Sequence, residues 1–171
     1  MTGESGIHKI QSHSPHGPQW EIRQNALNID TGTIWLQPYE IVTLERYQSM
    51  DPSVPLADKI RWLNCEGSFE PSLDFSWSVY GGVGVEMKHV GRAEYTVIRG
   101  RIIDAIKRAL NDEHHRSLKK EYFLIDIGEA DLTDSLRDKL GGYNLDTAKY
   151  PLTRLWILWD AVNLTEIILR K

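Results

Sequence analysis

Asp74, Glu86 and Lys88 are the residues whose types and spacing could do chemistry, and all three fall within Leu73–Val90, LDFSWSVYGGVGVEMKHV. Two carboxylates on neighbouring strands can hold a hard cation such as Mg²⁺ through oxygen ligands. A lysine beside them can orient or deprotonate a water, which is the equipment for cleaving a phosphodiester bond. The same three side chains also suit a solvated hairpin face, where opposite charges pair across strands. Their position in the fold decides between the two.

The elements that must position them follow from periodicity. Leu73, Phe75, Trp77 and Val79 alternate with Asp74, Ser76 and Ser78, and Val83, Val85 and Met87 alternate with Gly84, Glu86 and Lys88. This period of two predicts half-buried strands. Tyr80-Gly81-Gly82 is a plausible loop between them, with glycine available for a positive φ. Pairing Val79 with Val83 sets Asp74 opposite Lys88, with Glu86 a diagonal step away.

Asp74, then Glu86-Met87-Lys88 across a hairpin, then a helical stretch from Arg92, resembles the PD-(D/E)XK nuclease superfamily over roughly Asp51 to Ile127. Leu73 stands where many members carry proline. The family opens with a helix and a strand; a short helix fits ahead of Asp74, and no separate strand is evident. The resemblance implies Asp74 and Glu86 as ligands of Mg²⁺, Lys88 on the attacking water, and nucleic acid as substrate. Glu45, Glu66 or Glu70 could supply a third ligand, and the sequence does not choose among them.

Charge is uneven. The net charge of −4 argues against a generic nucleic-acid binder. Yet residues 86–120 carry 9 basic and 5 acidic groups, between acidic flanks, so a positive block begins at the hairpin where phosphate contacts would be needed. Within that block Arg92–Asn111 has the clearest helical pattern, with Tyr95, Ile98, Ile102, Ile106 and Ala109 on one stripe. Arg99 projects from the apolar side and must snorkel out or meet a carboxylate or a substrate phosphate. Arg99 and Arg101 are the candidate phosphate contacts, although an amphipathic helix with ordinary surface charge accounts for the same pattern.

Elsewhere the chain supplies scaffold. Residues 1–19 read as a polar N-terminal arm, in which nothing fixes the geometry of His8, His13 and His16. Trp20–Ile29 and Thr33–Leu44 read as two strands around an Asp30-Thr31-Gly32 turn; Met50–Gly67 is punctuated by Asp51-Pro52 and Pro55, then shows Leu56, Ile60 and Leu63 at helical spacing, with Gly67 as a helix stop. Tyr122–Ile127 and Leu155–Trp159 are apolar strands ending near Asp126 and Asp160. A helix over Asp131–Leu140 lies between them, and the three make a β-α-β unit. Aspartates at strand ends serve turns more often than catalysis. Ile167–Leu169 could close a sheet edge.

The expected fold is therefore α+β or α/β, one globular domain over residues 20–171 with a mixed central sheet flanked by helices. A single cysteine, Cys65, excludes an internal disulfide. No apolar run approaches the ~18 residues of a membrane span, and no signal-peptide core is evident. A cytoplasmic protein without a membrane association is expected. Two functions remain: a Mg²⁺-dependent nuclease, and a non-catalytic protein-binding protein of immunity or assembly type, for which six tryptophans would supply contact area and a protein would be the partner.

Overall fold

The computed structural model describes residues 13–32, 34–63, 73–111 and 119–171. The chain falls into two compact units, Met1–Gly84 and Val85–Lys171, each built from both helices and strands.

In the first unit, α1 (Pro18–Leu27) and α2 (Pro38–Met50) occupy the segments expected as strands. Proline at the first turn of each removes a backbone donor where a helix has none to lose. The Glu40 carboxylate accepts from the backbone N–H of Gln37 at 2.8 Å and closes the entry of α2. The buried positions explain the difference. The α1 residues that turn inward are Gln24 and Leu27. The Gln24 amide donates to Thr31 Oγ1 and to the Ile34 carbonyl, and its oxygen accepts from Leu36 N–H. A buried face built on a glutamine leaves no apolar period for the eye to find.

The helix expected from Leu56 through Leu63 is a single turn, α3 (Leu56–Lys59), and then the chain extends as β1 (Ile60–Trp62) with Ile60 and Trp62 inward and Arg61 outward. Strand β1 runs antiparallel to β2 (Phe75–Trp77), pairing Ile60 with Trp77 and Trp62 with Phe75. Trp77 donates to the Tyr47 hydroxyl at 2.7 Å and meets the Tyr47 and Tyr80 rings edge-on. Strand β2 stops at Trp77, two residues earlier than the alternation predicts. Ser78–Tyr80 tightens into a 3-10 turn, and Gly81 and Gly82 both take φ of 77°. Val79 is 60% exposed as a result, not directed inward opposite Val83.

Strand β3 (Val83–His89) leads into the second unit, where β3, β4 (Tyr122–Asp126) and β5 (Arg154–Trp159) pair in parallel and β6 (Asn163–Ile167) pairs antiparallel with β5. The sheet is mixed, as expected. Two consecutive crossovers join neighbouring parallel strands, and crossovers that share one hand put their helices on one face. Accordingly α4 (Tyr95–Asn111) and α5 (Asp134–Gly141) share one core, in which Ile98, Ile102, Ile106, Leu136 and Leu140 pack with Phe123, Ile125, Leu155 and Ile157. A further turn, α6 (Tyr143–Asp146), buries Tyr143 in the same core. The last strand is β6; Ile168 lies beyond it and is 87% exposed.

Candidate functional site

Glu86 sits at the middle of β3, in a strand whose central three residues are buried. In the parallel register Glu86 lies beside Phe123 and Lys88 beside Ile125, so both project on the face that carries the helix-covered core. A carboxylate in that setting needs a partner, because burying an unpaired charge is prohibitive. Two ammoniums provide it. Lys88 Nζ lies 3.1 Å from Glu86 Oε2 and Lys120 Nζ 3.2 Å from the same oxygen. The side chains are 6% (Glu86), 19% (Lys88) and 16% (Lys120) exposed. Lys120 comes from the segment just before β4; only the tertiary fold brings it here, and no local spacing announces it.

Asp74 belongs to the first unit, where it is buried and its backbone carbonyl accepts from Leu63 N–H at 2.9 Å. Glu86 and Lys88 belong to the second. Of the candidates for a third ligand, Glu45 is held by the Arg23 guanidinium, whose Nε donates to it at 2.9 Å. Glu66 and Glu70 lie outside the described residues, as do Cys65, His8, His114 and His115. His13 faces Glu21 at 3.2 Å. Among the described residues no group of three or more His, Cys, Asp or Glu is arranged to hold a metal ion.

Arg99 meets a carboxylate: its Nε donates to Asp146 Oδ2 at 2.9 Å, and the Tyr95 hydroxyl donates to the same oxygen at 2.7 Å. Burial first, and the Asp146 carboxylate second, raise the Tyr95 phenol well above its usual range. Arg101 is exposed on α4. The strand-end aspartates make turns. Asp126 is fully buried and its Oδ1 accepts from Gly128 N–H at 2.7 Å, while Oδ2 stands 3.8 Å from His89 Nδ1. Asp160 takes φ of 46° in the β5–β6 turn.

For a divalent cation the donor chemistry fits in kind, since Mg²⁺ takes carboxylate oxygens and keeps several waters. A cation at Glu86 would compete with two ammoniums on the same carboxylate. Comparison with known proteins found no family model, no curated protein and no solved structure that matches the chain. Among the described residues no helix is long and apolar enough to cross a membrane.

Proposed function

We propose that this protein is a divalent-metal-dependent nuclease, with Glu86 as a metal-holding carboxylate and Lys88 acting on water and phosphate. The observation that carries the reading is the Glu86–Lys88 pair, 3.1 Å apart and mostly buried on one face of β3. Charged groups in a largely apolar sheet face cost desolvation that hydrophobic residues would not, and such costs concentrate at functional sites. The order of elements lends support. A helix and a strand, α3 and β1, precede β2 and β3, and helix α4 follows. Strand β1 stands ahead of Asp74 in the chain.

A bound Mg²⁺ would polarise the phosphate and lower the pKa of a coordinated water. The chain's own part is simpler. Glu86 is held in place by two cations, and Lys88 offers an ammonium whose three donors are not exhausted by one contact. The basic block over residues 86–120 supplies attraction for the backbone.

A second reading has its own observation. Lys88 and Lys120 balance Glu86 without any metal, which is what a structural ion cluster in a non-catalytic protein-binding protein would look like. Cleavage of plasmid and single-stranded substrates in Mg²⁺ or Mn²⁺ separates the two. The nuclease loses nearly all activity in Glu86→Gln, in Lys88→Ala and with EDTA, while thermal melts report that each variant folds. Cleavage that survives in Glu86→Gln excludes this site, and no cleavage by the wild type across several DNA and RNA substrates favours the binding protein.

A further inference from the structure

We infer that Lys120 is a phosphate-positioning residue, forming with Lys88 a two-ammonium seat for one backbone phosphate of a nucleic acid. The inference rests on the nuclease reading for its role but not for its test. Both ammoniums touch Glu86 Oε2, at 3.1 and 3.2 Å, so they can be no farther apart than those two contacts laid end to end. That is a span one tetrahedral oxyanion can bridge. Each ammonium spends one of three donors on the shared oxygen, and the two outnumber the carboxylate by one charge. Glu121 accepts from the Thr153 hydroxyl and faces Lys119, and Asp126 accepts from Gly128 N–H. With side chains only 19% and 16% exposed, the surplus positive charge is screened less than on an open surface, which strengthens its hold on an anion.

The test is binding of labelled single-stranded and duplex oligonucleotides by fluorescence anisotropy, in EDTA so that no cleavage is needed, across a series of salt concentrations. Each phosphate contact contributes roughly one unit to the dependence of log affinity on log salt. Lys120→Ala is expected to weaken binding several-fold and to reduce that slope by about one, with Lys120→Arg restoring both. Thermal melts confirm folding, and Lys120→Gln substitutes if the alanine variant does not fold. Wild-type affinity and slope in Lys120→Ala would overturn the inference and leave Lys120 as a clamp on Glu86. Failure of the wild type to bind would also overturn it. Displacement by inorganic phosphate at matched phosphate concentration would assign the seat to a free oxyanion and overturn the nucleic-acid assignment. Salt-sensitive binding through Lys120 without cleavage in Mg²⁺ would retire the nuclease reading and leave this one standing.

Discussion

Two clusters in the second unit join cations to a carboxylate under opposite conditions. Around Glu86 the carboxylate is 6% exposed and two lysines converge on one oxygen. Around Asp146 the carboxylate is 50% exposed and Arg99 40% exposed, with the Tyr95 hydroxyl completing the group. The bond lengths are similar, and the surroundings are not. Water screens the second cluster and competes for its donors, whereas the first is shielded by the core face it sits on. Geometry alone would rank them as equals, and burial predicts that the first is the more costly to break.

That ranking can be broken by substitution. Glu86→Ala strands two mostly buried ammoniums and is expected to cost about 3–5 kcal/mol in denaturant unfolding. A loss under about 1 kcal/mol would mean that the lysines reach water when freed. Ile102→Ala gives the scale of the apolar core beside them. Ile102 is fully buried on α4, so lost burial and a cavity should cost about 2–5 kcal/mol. Arg99→Ala should cost no more than about 1 kcal/mol, because the pair it breaks is half exposed. If chemical denaturation of Arg99→Ala and Glu86→Ala gave equal losses, the contrast between the clusters would fail.

The smallest effect is a pH effect. Burial and Asp146 raise the Tyr95 phenol above the ordinary value of 10.0. The folded state then holds its proton more tightly than the unfolded chain does. The sign is fixed: this contribution is fully present below pH ~10 and is lost as pH rises from there through the folded value. Ultraviolet titration should show Tyr95 ionising later than a free phenol. Tyr95→Phe should flatten the alkaline fall in stability, with Tyr47 and Tyr143, also raised by burial, accounting for what remains.

The cluster around Glu86 was half legible. Glu86 and Lys88 are two residues apart on a strand, so alternation alone puts them on one face. Lys120 joins them from a segment 32 residues beyond Lys88, and no periodicity connects the two. The partner of Arg99 was legible as a type and not as a residue: an arginine on an apolar stripe demands an acceptor, and the fold chose Asp146. In the first unit, α1 and α2 carry no unbroken apolar helical period because their inward residues include Gln24, Glu40 and Thr43. Pro18, Pro38 and the Gln37–Glu40 pair are the signals that mark them as helices.

What the sequence by itself determined is the set of elements whose burial is apolar and periodic. Helix α4 and strands β4 and β5 fall within a few residues of their expected bounds, because their side chains meet the core at intervals set by backbone geometry. Tertiary structure alone decided where polar groups go inward. A buried glutamine, lysine or glutamate is stable only when acceptors and donors from outside its own element arrive at its atoms, as Asp51 and Gln48 do for Lys59 and, from far along the chain, as Lys120 does for Glu86. Hydrophobic burial is non-directional and leaves a repeating trace along the chain; a hydrogen bond or ion pair is directional, made once, and leaves none.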